Sequence, residues 1–261
     1  FHYRNISFEF EGTGYRTMEK LVMYVNVPEE ELYLGEEIAP NATAYEDYLL
    51  RKLSQGMNEL CLSYQNDHKS SREKPHFSMQ TVTSVVQRRN GCCYQKERGS
   101  FRLRIHFKVP LINEIYLNAK SFVRTVKDML ELICDQLEVL EKEELKEHIA
   151  LYGRQQEIRE FLQENGYVAF VGNGSILPRQ GETEAPMSGA IPFTSPKEME
   201  LQIRLKDGSV IHGMGIKRGV TVITGGGYSG KSTLLDLYES EGLLDLSDIK
   251  GKREVYKIAL V

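Results

Sequence analysis

The sequence lacks a run of about 18 consecutive apolar residues, the length that a membrane-spanning helix requires. It therefore predicts no transmembrane segment. The opening stretch, FHYRNISFEF, also lacks a basic amphipathic leader and an apolar signal segment, so it assigns no organelle. The 261 residues, of which 41% are hydrophobic and 27% charged, are enough for two globular domains with their own cores.

Metal-ligand patterns are missing as well. The four cysteines include no C-x-x-C pair, and the six histidines form no cluster at ligand spacing. Cys92 and Cys93 are adjacent, whereas Cys61 and Cys134 stand alone. This pattern predicts reduced, structural thiols in an intracellular protein and no zinc site.

Acidic residues are scarce in one segment of a chain that is acidic overall. The net charge is −4, but residues 69–108 contain ten Lys or Arg residues and only two acids, Glu73 and Glu97. That segment carries +8, so the rest of the chain carries −12. Charge segregated in this way favours an anionic partner on one face of the protein.

Within the basic segment, FRLRIHFKV (101–109) alternates apolar and mostly basic residues. A β-strand with this period buries one set and exposes the other, with about 6.6–7 Å between successive residues of a face. That spacing is close to the spacing of phosphates along a single strand of RNA. The predicted RNA contacts are the Lys and Arg residues of this strand and of the chain just before it: Arg88, Arg89, Lys96, Arg98, Arg102, Arg104 and Lys108.

Tyr94 is predicted to stack on a base beside these cations. The alternative interpretation is a plain solvated sheet face, since any half-buried strand needs polar residues on its outer side. The scarcity of acids favours RNA, because an ordinary surface intersperses both signs of charge.

Periodicity and turn residues predict an α/β protein. Alternation and apolar runs predict strands at 6–10, 21–27, 167–171 and 199–205, and two strands within 78–109 around a turn at Asn90-Gly91. Apolar residues at helical spacing predict helices near 41–53, 121–137 and 142–165, the last ending at Gly166. A linker-like stretch at 178–189 places the change of domain near residue 198, after a mixed α+β domain of residues 1–198.

The stretch GGGYSGKSTLL (225–235) reads G-x-x-x-x-G-K-S, with Gly225, Gly230, Lys231 and Ser232 at the fixed positions. A strand predicted at 219–224 leads into it and an apolar helix is predicted after it, the context that a phosphate-binding loop requires. Backbone N–H groups of the loop surround the phosphates, the lysine neutralises their oxygens, and the hydroxyl of Ser232 ligates Mg²⁺. The predicted nucleotide-binding residues are Gly225, Gly226, Gly227, Tyr228, Ser229, Gly230, Lys231, Ser232 and Thr233.

Three segments resemble the family of predicted ATPases of the ABC class: GYVAFVGNGSILPR (166–179), IPFTSPKEMELQIRL (191–205) and GMGIKRGVTVITGGGYSGKSTLL (213–235). Two earlier stretches, GTGYRTMEKL and AYEDYLLRKL, are similar to its N-terminal region more weakly. The resemblance implies an α/β protein whose residues 199–261 are the start of an ABC-type P-loop domain. It also implies ATP and Mg²⁺ as ligands, a homodimer, and RNA binding in mitochondrial RNA editing within a larger RNA-processing complex.

Several parts of the family's pattern are not readable in ESEGLLDLSDIKGKREVYKIALV (239–261): a second carboxylate strand, a signature loop and a switch histidine. Asp245 and Asp248 lie in an acidic stretch that is not an apolar strand, so no catalytic residue is assigned. No aromatic residue for adenine stacking lies between Phe193 and Tyr228. An alternative function is a nucleotide-gated assembly or scaffold protein without direct RNA binding, in which the basic face is ordinary surface. A kinase or GTPase is less favoured, because no N-K-x-D guanine-binding motif occurs.

Overall fold

The computed structural model describes residues 1–12, 20–34, 37–65, 73–83, 85–113, 116–178, 180, 187–222, 224, 226 and 230, and the backbone of three short strands after residue 246. The chain divides into two compact units. The first comprises Phe1–Val82 and Gln87–Ile149, and the second comprises Thr83–Val86 and Ala150–Val261. The predicted domain boundary near residue 198 lies inside the second unit and stays a prediction.

The first unit is built on an antiparallel sheet of six strands. Its order is β1-β2-β3-β6-β4, with β5 pairing the same edge of β6 as β4 does. The strands are β1 (His2–Tyr3), β2 (Ile6–Gly12), β3 (Lys20–Pro28), β4 (His76–Met79), β5 (Cys92–Gln95) and β6 (Ser100–Lys108). A short hairpin of β7 (Leu111–Ile112) and β8 (Tyr116–Leu117) follows β6.

Two helices cover one face of this sheet. They are α1 (Ala42–Gln65) and α2 (Ala119–Glu138), and a third, α3 (Lys142–Glu164), begins in this unit and continues into the second. Helix α2 begins where Asn118 accepts a hydrogen bond from the backbone N–H of Ser121 at 3.1 Å, an N-cap that satisfies an otherwise unpaired donor. The core lies between the helices and the sheet, and includes Tyr48, Leu53, Phe101, Ile105 and Met129.

The predicted strands at 6–10 and 21–27 and the predicted helices are confirmed, and α1 extends to Gln65. The prediction of two strands within 78–109 was wrong, because three form in this part of the chain: β4, β5 and β6. β4 pairs with the C-terminal half of β6 and β5 with its N-terminal half, so they share one edge. Val85 and Val86 between them are buried but lie outside any strand.

The second unit contains an antiparallel sheet in the order β10-β11-β9-β14. Its strands are β9 (Tyr167–Gly172), β10 (Glu200–Arg204), β11 (Val210–Lys217) and β14 (Ile258–Leu260), and a separate pair is formed by β12 (Ser247–Ile249) and β13 (Lys252–Glu254). Phe170 and Ile203 pack with Ile158 and Leu162 of α3 on one face. Gly166, with a φ of 71°, ends α3 as predicted and turns the chain into β9.

β9 and β11 approach each other too closely at Gly213 for any larger residue. A Cβ atom there would lie 2.3 Å from the carbonyl oxygen of Val171 and 2.8 Å from the Cα of Gly172, both backbone atoms that cannot rotate away. The register pairs Gly213 with Gly172 directly across the two strands. Glycine is therefore required for the sheet that precedes the glycine-rich loop.

We expect Gly213→Ala to destabilise the second unit by about 1–3 kcal/mol, because the added methyl forces the two strands apart. Gly153→Ala is the matched control, since a Cβ atom at this helical position meets nothing within 4 Å. The control should stabilise α3 by about 0.5–1 kcal/mol, as alanine is the better helix former. Urea unfolding of both variants measures the difference, and equal stabilities would contradict the close approach.

Candidate functional site

Of the predicted nucleotide-binding residues, Gly226 and Gly230 are among the described residues. Gly226 and Gly230 are exposed, and a Cβ atom at either position would meet nothing within 4 Å. Gly230 has a φ of 80°, in the region that favours glycine. The other predicted nucleotide-binding residues lie outside the described residues: Gly225, Gly227, Tyr228, Ser229, Lys231, Ser232 and Thr233.

The strand predicted at 219–224 does not form among the described residues of that stretch, so this prediction was wrong. Residues 220–222 are irregular, and Val220 and Val222 are 96% and 76% exposed. β-branched residues favour a strand only where neighbouring strands and side chains cover them. The described residues provide no such cover here, and local propensity alone does not produce the strand.

The basic strand is confirmed as β6, and its alternation divides it as predicted. Phe101, Leu103, Ile105 and Phe107 are each no more than 2% exposed and belong to the core. The opposite side, which we call the outer face, carries the basic set of β6: Arg102, Arg104, His106 and Lys108. Lys20 of β3 lies directly opposite Lys108, which extends the positive charge onto the neighbouring strand.

Arg102 is already engaged within the protein. Its guanidinium lies 2.5 Å from a carboxylate oxygen of Glu9 and 4.0 Å from the ring centroid of Tyr24. Glu9 faces Tyr24 across β2 and β3, so the three side chains form a row over the outer face. Part of the positive charge on this face is therefore neutralised before any ligand arrives.

Arg104 differs from Arg102. Its Nε is shielded from solvent and donates to no atom of the described residues. Its backbone N–H donates to the carbonyl oxygen of Gly91 at 2.9 Å, at the point where β4 has ended and β5 has not yet begun. Arg104 is thus held beside a gap in the edge pairing of β6.

The other predicted RNA contacts divide into exposed and buried positions. Arg88 is exposed in the chain before β5, and Lys96 and Arg98 are exposed in a single helical turn between β5 and β6. Lys96 lies 3.8 Å from Glu37, with both side chains 73% exposed. Arg98 lines a cavity with Ser7, Asn26 and Ser100, at the N-terminal end of β6.

Arg89 does not belong to the exposed basic set. Its side chain is 6% exposed, and its guanidinium donates to Asp47 of α1, which is fully buried. Tyr94 also lies away from the outer face, because it pairs in register with Phe101 and its ring lies 5.0 Å from that core side chain. The Tyr94 hydroxyl donates to Glu29, and this bond, with burial, raises the pKa of Tyr94 to about 12.

Asp47 is the centre of a buried ionic cluster, and two of its partners, Arg89 and His148, are distant in the sequence. Besides Arg89, it accepts from Arg51 Nε at 2.5 Å and lies 3.1 Å from His148 Nε2 of α3. Burial raises the pKa of Asp47, but the hydrogen bonds from His148 and Arg51 and their charges outweigh burial and hold it below its usual value. The only signal in the sequence is the i,i+4 pair of Asp47 and Arg51.

Glu46, beside Asp47, is in the opposite situation. It is 3% exposed, and one carboxylate oxygen accepts from the backbone N–H of Tyr94 at 2.7 Å. The second oxygen has no hydrogen-bond partner in the described part of the chain. Burial raises the pKa of Glu46, which the bond from Tyr94 only partly offsets. In these adjacent residues of α1, the surroundings therefore stabilise the charged form of Asp47 and destabilise the charged form of Glu46.

The described residues contain neither a cluster of metal ligands nor a membrane-spanning helix. Within that part of the chain, no group of three or more His, Cys, Asp or Glu side chains is arranged to hold a metal ion. No described helix is both long enough and apolar enough to cross a bilayer. All four cysteines are free thiols, as predicted.

A family model matches part of the chain. Residues 141–245, 105 of the 261, match the family model of the ABC_ATPase P-loop domain. No curated protein is significantly similar to the sequence. The matched segment begins at α3, includes β9 to β11 and contains the whole glycine-rich loop. It supports an ABC-class P-loop ATPase family and implies nucleotide binding, in an α/β fold as the sequence predicted.

We expect Asp47→Asn to destabilise the first unit by about 3 kcal/mol at neutral pH, because two arginines and a histidine lose a buried partner. A carboxylate with a lowered pKa contributes stability above its unfolded pKa of about 3.9, and this is lost as pH falls through the folded value. The difference in free energy of unfolding between the parent and Asp47→Asn, measured with urea, should therefore become smaller as the pH falls from 5 to 3.5.

Asp135→Asn is the control for this prediction. Asp135 pairs with Arg4 on the surface with its side chain 62% exposed, so its loss should cost less than about 1 kcal/mol. If the Asp47 and Asp135 variants unfold at the same urea concentration, the buried cluster does not have the assigned role.

Proposed function

We propose that this protein is an ABC-class P-loop ATPase that binds Mg²⁺-ATP through residues 225–233 and binds RNA on the outer face of its first sheet. The nucleotide half rests on the G-x-x-x-x-G-K-S motif inside the segment that matches the ABC_ATPase P-loop domain. The RNA half rests on one observation, the row of basic side chains along the central strand β6.

The residues of the loop fit a nucleoside triphosphate with its metal ion. The two described glycines leave open space where a side chain would stand, which allows backbone N–H groups to approach phosphate oxygens. Lys231 would neutralise the terminal phosphates, and the Ser232 hydroxyl would be the protein's ligand to Mg²⁺. Mg²⁺ supplies charge neutralisation across the phosphates when bound.

The outer face fits the backbone of a single-stranded nucleic acid. From Ser100 to Lys108, β6 extends for about 27 Å. Arg98 lies near its N-terminal end, and Lys20 and Lys108 lie together at its C-terminal end. Charges at these positions follow a line, which suits a chain of phosphates better than a single anion.

The resemblance of the sequence to ABC-class ATPases supports three finer parts of the proposal: a homodimer, a larger RNA-processing complex, and a mitochondrial role in RNA editing. In ATPases of this class each phosphate cradle closes against the partner's signature loop, which is not readable in residues 239–261 of this chain. These parts rest on the resemblance alone, whereas the RNA-binding face rests also on the charge of β6.

A second function is favoured by one specific observation. Because Glu9 and Tyr24 already engage Arg102, the outer face is partly a self-contained ionic surface. This observation favours the alternative in which the basic face is only solvated surface. In that function, the protein would use nucleotide to control its assembly with other proteins. The RNA prediction below distinguishes the two functions.

We expect Lys231→Ala to weaken binding of Mg²⁺-ATP about 10- to 100-fold, because a charged hydrogen-bond donor to the phosphates is lost. Isothermal titration with a non-hydrolysable ATP analogue measures this change. Lys217→Ala, an exposed lysine at the end of β11, is the matched control and should bind like the parent. Equal affinities of parent and Lys231 variant would show that the loop is not the nucleotide site.

Changing Arg102, Arg104 and Lys108 together to Glu should weaken RNA binding for all sequences alike, because phosphate contacts carry no sequence information. The slope of log affinity against log salt should fall by about 2, at about 0.7 for each lost contact with a single strand. Fluorescence anisotropy with a labelled oligonucleotide at several salt concentrations measures both effects.

The control carries the same change of charge elsewhere in the first unit. Lys120, Arg124 and Lys127 are exposed on α2, so changing these three to Glu alters net charge equally without touching β6. Thermal melting of both triple variants verifies that they are folded. An unchanged salt slope in the β6 variant would favour the assembly function over RNA binding.

A further inference from the structure

A groove opens on the outer face where the edge of β6 changes partner. β4 pairs with residues 105–108 of β6 through the register His76↔Lys108 to Met79↔Ile105, and β5 pairs with residues 100–103. Between them the chain leaves the sheet, and among the described residues the bond from Arg104 N–H to Gly91 O bridges the gap. The groove has a volume of about 560 Å³, within the range of small-ligand sites.

Gly91 closes one side of this groove by a close approach. A Cβ atom at Gly91 would lie 2.8 Å from Cβ of Gln80 and 3.2 Å from Cδ1 of Leu50. The residue after β4 and the residue before β5 are thus in direct contact. This contact fixes the distance between Gln80 and Asn90, whose amide side chains both line the groove.

The lining is polar and without negative charge. The described polar lining residues are Ser78, Gln80, Thr81, Asn90, Arg104 and His106, and none of them is a carboxylate. Ser78 and His106 face each other across β4 and β6, which places a hydroxyl beside the imidazole. A site with a guanidinium, amides and no acid suits a ligand that has both an anionic group and a hydrogen-bonding edge.

Arg104 supplies the positive charge of the groove. Arg102 has Glu9 and Tyr24 as partners, whereas no ion pair joins Arg104 to a carboxylate of the described residues. A phosphate in the groove would therefore meet a guanidinium that no described carboxylate neutralises. Phosphate oxygens are suitable acceptors, because arginine presents its N–H groups as a fork that matches them.

We propose that this groove binds one nucleotide of single-stranded RNA, with its phosphate on Arg104 and its base edge on the amides of Gln80 and Asn90. The proposal rests on the RNA binding proposed above and adds the place where a base is contacted. Amide side chains carry a donor and an acceptor together, which is the pattern of a base edge. Lys108 lies four residues further along the same face, about 13 Å from Arg104, where the second phosphate along the strand would follow.

The test of the phosphate contact compares Arg104→Lys with Arg124→Lys. Both keep the charge and remove the fork, but Arg124 lies on α2 with its side chain 77% exposed. Binding of a 12-nucleotide oligouridylate, measured by anisotropy, should weaken about tenfold for Arg104→Lys and stay unchanged for Arg124→Lys. Thermal melting confirms that both variants fold.

The test of the base contact uses an abasic strand of the same length. The parent should bind oligouridylate more tightly than the abasic strand, and Asn90→Ala with Gln80→Ala should remove that advantage without changing the affinity for the abasic strand. A 4-thiouridine oligonucleotide should crosslink to peptides containing residues 78–81 or 90–106. Equal losses for both strands would contradict the base contact.

Failure of the groove proposal and failure of the proposed RNA binding would give different results. Suppose that the parent binds RNA, that the β6 triple variant does not bind it, and that Arg104→Lys binds like Arg124→Lys. RNA would then contact the outer face without using the groove, and only this inference would be overturned. If the parent binds neither strand at physiological salt, the RNA half of the proposed function is overturned together with the inference.

Discussion

The two-residue period of β6 determines both the core and the charged surface of the first unit. Each apolar residue of the strand lies under α1 and α2, and each intervening residue lies on the outer face. A shift of register by one residue would bury Arg102 and Arg104 and expose Phe101 and Leu103. Both changes would destabilise the folded state. The hydrophobic effect that stabilises the core therefore also holds the basic side chains in line.

The buried charged groups of this unit differ in how many of their atoms have hydrogen-bond partners. Asp47 has three cationic or hydrogen-bonding partners from α1, from the chain before β5 and from α3. Because those partners are distant in sequence, the cluster connects three segments at one point. Glu46 and Arg104 instead each have a shielded atom with no hydrogen-bond partner among the described residues. Of these two residues, Arg104 lines the groove between β4 and β5.

The sequence predicted those features that depend on local pattern. The alternation in 101–109 and the helical spacing in 121–137 each specify one buried face, and both elements form as predicted. Arg89 could not be placed from sequence, because its burial depends on Asp47, which lies 42 residues earlier. The segment at 219–224 failed for a related reason: its valines favour a strand, but neighbours that would cover them are not among the described residues.

The two proposed sites would both bind phosphate, but by different interactions. In the glycine-rich loop, backbone N–H groups and one lysine would contact the phosphates at close range, where dissolved ions screen weakly. On the outer face, partly exposed cations would act along a line of phosphates, and each contact would release a counterion from the RNA. Rising salt should therefore oppose RNA binding more than nucleotide binding. Ionic strength alone can separate the two activities, and coupling between them is best sought at low salt, where both sites are occupied.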